Sequence, residues 1–479
     1  MGLAELFPLV RYSERMTQRA ARYPIHTHTS CPAPGGPWRL AAWPLQLALA
    51  AVLVLGPAVW APGPGWPGYA YADDGDGDGG ADGGAGSSSA DGGSAGSGGA
   101  PIDPLDLAPP VVAEQFVATE LLALNPSPAA LQRARALLGV EVIERAGLGS
   151  LGLQVVRLGL RGVDAQTAQD VLSERDPNVF ALHHRYTLAQ AAAASTTPGG
   201  AAPGGSPLAP LKASLGWPVQ SASCGKGLVL GMIDTAVAPR VEPLQQARVQ
   251  SRSWVPPGRS PLQDDHGTAV AALLVGQPGT AYEGLVPAAR LLAAAPFYTL
   301  NSGNGSADVM GLVKSLDWLV QQGARVVGMS LAGPGNEVLD AALRRARERG
   351  VTVVAAAGNQ GRAAAPVFPA AYEQVLAATA LHSSKRVYRR ANQGDYIDYA
   401  LPGADVPTLT RDGQQAVSSG TSYAVPFLVA LVAQSGAERL AQPGDWMSGG
   451  AIPSEDLGQP GKDAVYGHGL PTVAVRCPA

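Results

Sequence analysis

Hydrophobic positions are spread unevenly along this chain. From Leu40 to Ala61 (LAAWPLQLALAAVLVLGPAVWA) they run almost unbroken, interrupted by Pro44, Gln46 and the Gly56-Pro57 pair. At 1.5 Å per residue that run would span about 33 Å as a helix, enough for the roughly 30 Å core of a bilayer. Residues 73–110 then contain a long stretch with nothing apolar larger than Ala (DDGDGDGGADGGAGSSSADGGSAGSGGA), which reads as a flexible, disordered linker that buries no core. Periodicity returns over 111–188. Alternation predicts strands near 114–120, 140–145, 151–158 and 178–187, and a 3.6-residue period predicts helices over 128–138 and 164–174. Asp164 is placed to cap the second helix, and Gly147 with Gly149 to turn the hairpin between the middle strands. The order βαββαβ is that of a small α+β, ferredoxin-like domain. A second low-complexity stretch, 189–208, reads as a linker. From 209 to 479, short β-branched runs (228–233, 325–329, 351–355, 375–380) alternate with helical patterns at 267–276, 307–323, 337–349 and 422–434. Apolar strands without alternation, each followed by a helix, predict an α/β domain with a parallel sheet covered on both faces.

Composition narrows the function. Charged residues are 15% of the chain, and 34 Lys+Arg against 38 Asp+Glu leave a net charge of −4, so no basic field points to nucleic acid. The Asp-Gly pairs after residue 73 lack the spacing and closing Glu of a calcium loop, and no Cys/His cluster suggests zinc. Arginines 11, 15, 19, 22 and 39 precede the apolar run and aspartates follow it, which places everything downstream outside the cytoplasm. Residues 1–72 therefore read as a signal peptide or a signal anchor. Ala70-Tyr71-Ala72 fits the small-x-small cleavage rule about a dozen residues past the run, and both outcomes stay open: a secreted or periplasmic product, or one tethered to the membrane facing outward. Of three cysteines, Cys31 lies before the apolar run, which leaves Cys224 and Cys477 as the two that share an oxidising compartment.

Four signals in the last domain bear on chemistry. Asp234 ends the strand pattern VLGMID, His266 opens HGTAVAALLVG, Asn359 follows the strand in VVAAAGNQG, and Ser422 begins a helix in GTSYAVP, with Pro426 about one turn in. Taken singly, each has a plainer reading: a turn aspartate, a core histidine, a left-handed turn asparagine and a helix-capping serine. Together they supply a hydroxyl nucleophile, a base that activates it, a carboxylate that orients the base, and an amide donor for an oxyanion.

In the chain order Asp, His, Ser the domain resembles the subtilisin-like serine proteases. The likeness extends to EGLVPAARLLAAAPF (283–297), VVGMSLAGPGN (326–336), FPAAYEQVLAATAL (368–381) and DLGQPGKDAVYGHGL (456–470). It departs where Ala236 follows the Asp-Thr pair, where APRVEP replaces a His-Pro-Asp segment, at Ala269 and at Tyr423. Acidic loop ligands of the kind some relatives use for calcium are not recognisable, so no cofactor is expected and no calcium site is assigned, while calcium binding stays open.

The resemblance implies a serine endopeptidase acting on proteins or peptides, with Asp234, His266 and Ser422 as its triad and Asn359 as oxyanion donor. It implies that Ser330, Leu331, Ala332 and Gly333 form an edge that pairs with substrate backbone. It implies that Val367 floors the pocket for the residue before the cut bond, favouring Ala, Val or Leu there over Phe and Tyr. It also implies that 111–188 is a prodomain, a partner removed by cutting within the following linker. The rival reading is a catalytically silent, membrane-tethered binding protein of the same fold. An α/β-hydrolase esterase fails on chain order and on the lack of a G-x-S-x-G elbow.

Overall fold

The fold is that of a computed structural model which describes residues 115–189, 195–196, 206–218, 221–435, 452–472 and 475–478. The apolar run at 40–61, the linker over 73–110 and most of the 189–208 linker lie outside these. Among the described residues no helix is long and apolar enough to cross a membrane.

The first part of the chain forms β1 (Phe116–Leu124), α1 (Pro128–Leu138), β2 (Glu141–Leu148), β3 (Leu153–Gly159), α2 (Ala165–Ser173) and β4 (Phe180–Leu188), with the strands side by side in the order β2-β3-β1-β4, all antiparallel. The helices begin where their caps dictate. Ser127 accepts from the Ala130 N–H ahead of Pro128, and Asp164 accepts from the Thr167 N–H at 2.9 Å. The hairpin differs from expectation. Gly147 sits inside β2 opposite Gln154, and the reversal comes at residues 149–152, where Gly152 takes a φ of 67°. One sheet face packs Leu121, Val156, Leu158 and Leu182 against Ala130, Ala134, Ala168 and Leu172 of the two helices. The other face, with Leu122, Val155 and Ala181, joins a core shared with the rest of the chain.

The remainder is built on seven parallel strands: β5 (Val229–Ile233), β6 (Arg248–Ser253), β7 (Arg290–Ala295), β8 (Val326–Met329), β9 (Thr352–Ala356), β10 (Val375–Leu381) and β11 (Tyr399–Pro402), in the order β11-β10-β9-β8-β5-β7-β6. The strands are apolar on both sides because both sides are covered. Val354, Ala356 and Met232 share a core with α3 (Asp265–Val275) and α6 (Thr421–Gln434), while Val353, Ala355 and Ile233 share one with α4 (Val309–Gln321) and α5 (Glu337–Glu348). A disulfide joins Cys224, just before β5, to Cys477 near the C-terminus, with a Cα–Cα distance of 4.5 Å.

β4 belongs to both parts. Residues 185 and 186 pair with the short strand Gly305–Asp308, and residues 187 and 188 pair with Leu331–Ala332. Across the same junction Lys314 on α4 forms an ion pair with Glu144 on β2, and Asp317 accepts from the Leu151 N–H at 3.0 Å.

Candidate active site

One strand end and two helix starts converge at the carboxyl end of the parallel sheet. Asp234 directly follows β5, His266 lies in the first turn of α3, and Ser422 in the first turn of α6. His266 Nδ1 lies 2.7 Å from Asp234 Oδ1, and its Nε2 lies 3.0 Å from Ser422 Oγ. All three side chains are buried. The Asp234 carboxylate also accepts from the Thr235 N–H at 2.7 Å, which fixes its rotation.

Such closeness depends on Gly267. A Cβ there would come within 2.4 Å of the Thr235 carbonyl oxygen, so any side chain would push α3 and its histidine away from β5. Thr235 Oγ1 fastens the same contact by accepting from the Gly267 N–H at 2.8 Å.

Pro426 lies just beyond the first turn of α6, four residues after Ser422. Lacking an N–H, it cannot bond the Ser422 carbonyl four residues back, and that oxygen accepts from Ser330 Oγ at 3.3 Å. The helix thus stays intact around the serine, and the 330–332 edge is tied to it.

Asn359 has no left-handed backbone, which removes the turn reading. Its Oδ1 accepts from the Thr421 N–H at 3.0 Å, leaving Nδ2 directed at the cleft, where it donates to the Ala189 carbonyl at 2.5 Å. The loop that carries it is held by Asn392, a fully buried residue whose Oδ1 accepts from the Gln360 N–H at 2.8 Å, and by Tyr396, whose hydroxyl donates to the Ala357 carbonyl. Neither supporting residue was evident from sequence, because each lies over thirty positions from the motif it serves.

The chain's own segment 186–189 runs through the cleft. The Ala189 N–H donates to the Ser330 carbonyl at 3.0 Å, while Leu188 and Thr187 pair with Leu331 and Ala332. Gly333, expected on the same edge, instead exchanges both backbone hydrogen bonds with Phe368, and its open face lies against the Tyr186 ring. Val367 is half-buried, with Cγ2 2.9 Å from where a Gly358 Cβ would sit, beside the Asn359 loop. Beyond the cleft, Ser195–Thr196 pairs with Gln415–Ser418, just before α6.

A buried carboxylate, imidazole and hydroxyl in hydrogen-bonded series, with an amide donor opposite, is the equipment of a serine hydrolase. Residues 225–469, just over half of the chain, match the model of the subtilase family, peptidase S8, and the chain belongs to that family. It is 28% identical over 271 residues to the minor extracellular protease Epr of Bacillus subtilis (strain 168), an alignment covering 55% of this chain and 40% of that protein. It is 32% identical over 216 residues to subtilisin DY of Bacillus licheniformis, covering 44% of this chain and 76% of the relative. The match to Epr thus spans well under two thirds of that protein's length. Among solved structures, fervidolysin from Fervidobacterium pennivorans superposes with a TM-score of 0.61 at 20% identity, covering 74% of this chain and 60% of its own, a likeness of fold.

Proposed function

We propose that this chain is an exported serine endopeptidase made as a zymogen, with Ser422, His266 and Asp234 as its triad. The observation that carries the reading is the hydrogen-bonded series from Asp234 through His266 to Ser422, at 2.7 and 3.0 Å. Ser422 Oγ attacks a peptide carbonyl as His266 Nε2 takes its proton, and Asp234 holds the ring and supports the imidazolium. The oxyanion is received by Asn359 Nδ2 together with the Ser422 N–H at the start of α6. His266 then protonates the leaving amine, and water, deprotonated by the same ring, releases the acyl group. No step calls for a cofactor.

Residues 111–188 act as the prodomain in this reading. Support comes from segment 187–189, which lies antiparallel to Ser330–Ala332 as a substrate strand would. Export is supported by the arginine-flanked apolar run at 40–61, and the relative Epr is by name extracellular. The silent binding protein is disfavoured, since a chain without catalysis has no use for the full hydrogen-bonded series.

Ser422→Ala is expected to abolish peptide hydrolysis and fluorophosphonate labelling, and to leave the 189–208 junction uncut. Normal processing of that variant, or no labelling of the folded, processed wild type, would show the reading to be wrong.

A further inference from the structure

Segment 186–189 is placed in the cleft with one backbone carbonyl and one side chain singled out. The carbonyl is that of Ala189. It accepts from Asn359 Nδ2, and a carbonyl held at an oxyanion donor is the one a nucleophile attacks. The side chain is that of Tyr186, three residues earlier and fully buried. Its ring lies on the bare backbone of Gly333, where an added Cβ would come within 2.4 Å of Cδ1. Its hydroxyl donates to the Pro334 carbonyl at 2.7 Å. Burial pushes this phenol well above its ordinary titration range, so it remains a donor at any working pH. Between these two, Thr187 and Leu188 are half-buried and engage the edge through backbone pairing.

We infer that Ala189–Gln190 is the bond this enzyme cuts in itself, and that it reads substrates as Tyr-x-x-Ala, selecting the tyrosine by its hydroxyl through the Pro334 carbonyl. In the cut, the Ser422 Oγ bond to the Ala189 carbonyl carbon forms and the bond to the Gln190 nitrogen breaks. The proton from Oγ passes by way of His266 to the Gln190 amine. Water then gives the Ala189 carboxylate and returns its proton through His266 to Ser422. The inference rests on the proposed role of Ser422 and adds to it the site of cleavage and the residue four places in.

Purified full-length protein is allowed to process with no other protease present, and the released N-terminal fragment is weighed by mass spectrometry. Its C-terminus is expected at Ala189. The processed enzyme is then given Tyr-Thr-Leu-Ala, Phe-Thr-Leu-Ala and Ala-Thr-Leu-Ala p-nitroanilides. Loss of one buried hydrogen bond predicts Tyr over Phe by about three- to tenfold in kcat/KM, with Ala lower still. In Gly333→Ala the added methyl group displaces the ring, and the Tyr peptide should fall to the level of the Ala peptide or below. A fragment ending elsewhere, equal rates for Tyr and Phe, or an unchanged ranking in Gly333→Ala overturns the inference while leaving the protease reading in place. Failure to hydrolyse any peptide, with no fluorophosphonate labelling, overturns both.

Discussion

At the scale of single residues, the groups proposed to do chemistry could be picked out because each sits in a local pattern: Asp234 closing an apolar run, His266 followed by the glycine that α3 needs, and Ser422 between Thr421 and, four places on, a proline. The groups that aim them could not. Asn392 and Tyr396 hold the Asn359 loop through bonds to backbone groups that every residue carries, and only the fold tells which of them lie there. Val367 lies between these cases. Alignment with FPAAY puts it at the floor of the pocket for the residue before the cut bond, and in the fold it lies against Gly358, next to Asn359. The segment occupying the cleft has Ala189 at the Asn359 donor, by its carbonyl. Three side-chain carbons of Val367 should exclude a large ring, since overpacking a filled site costs about 1–3 kcal/mol. Wild type is therefore expected to prefer Ala or Val at that position over Phe by roughly tenfold or more in kcat/KM, and Val367→Gly to narrow or reverse the ranking. A series of peptides differing at that residue tests it. A wild type that already favours Phe would remove Val367 from the pocket.

At the scale of elements, β5, β8, β9 and β10 could be read from their apolar, β-branched runs, and their helices from periodicity. β6 (RVQSRS) could not, because it pairs only with β7 at the sheet's edge and has no apolar pattern. β7 (RLLAAA) is rich in alanine, a helix former placed here in a strand by its neighbours. β4 read correctly as a strand, yet its two adjacent histidines acquire opposite character from what surrounds them. His183 Nδ1 lies 2.8 Å from Glu120 Oε2 on β1, and its Nε2 lies 3.3 Å from Asp308 Oδ1, the cap of α4. Arg157 stands 3.7 Å from the same Glu120 oxygen, and the Tyr298 hydroxyl donates to Asp308 Oδ2 at 3.4 Å. Burial opposes the imidazolium of His183, but the two carboxylates outweigh it and raise the ring to about 9. His184, whose Nδ1 accepts from Asn336 Nδ2 at 3.0 Å, is lowered to about 4 by burial and then by the charge on His183. Asp308 and Asn336 belong to the sheet-bearing part of the chain. The share of the His183 shift that Asp308 supplies is therefore linked to docking of the N-terminal part, as is the burial that lowers His184. The share that Glu120 supplies from within the N-terminal part is not. The raised ring contributes fully below the usual 6.5 and loses its contribution as pH climbs to about 9. The lowered ring contributes fully above 6.5 and loses its contribution as pH falls to about 4. Docking after cleavage should be tightest near pH 6.5 and weaken by on the order of tenfold or more toward either limit. Gel filtration of the processed complex across that range measures it. His183→Gln should flatten the alkaline side, and a complex equally stable from pH 6.5 to 9 would refute the linkage.

At the scale of the whole molecule, cutting the chain after Ala189 would leave the sheet-bearing part to hold its own beginning and end in place. The beginning is fastened by Lys212, a buried side chain whose Nζ lies 3.0 Å from Glu283 Oε1 and donates to the Gly284 carbonyl at 3.1 Å. The end is fastened by the Cys224–Cys477 disulfide, which spans 253 positions. Sequence could name these two cysteines only by compartment, because nothing local says that residues so far apart meet. Closing a loop of that length stabilises by about 5 kcal/mol if the gain is chain entropy. At a few degrees per kcal/mol for a domain of this size, Cys224→Ser with Cys477→Ser should lower the melting temperature by roughly 10–15 °C. Both residues lie outside the cleft, on a turn before β5 and beside Gln434 at the end of α6. The double variant should therefore keep its kcat at 25 °C and lose activity faster only on heating. Thiol titration of the unfolded, unreduced protein recovered from an oxidising compartment gives the prior check. Two reactive thiols from Cys224 and Cys477 would mean that the bridge does not form, and an unchanged melting temperature in the double variant would refute the predicted net stabilisation.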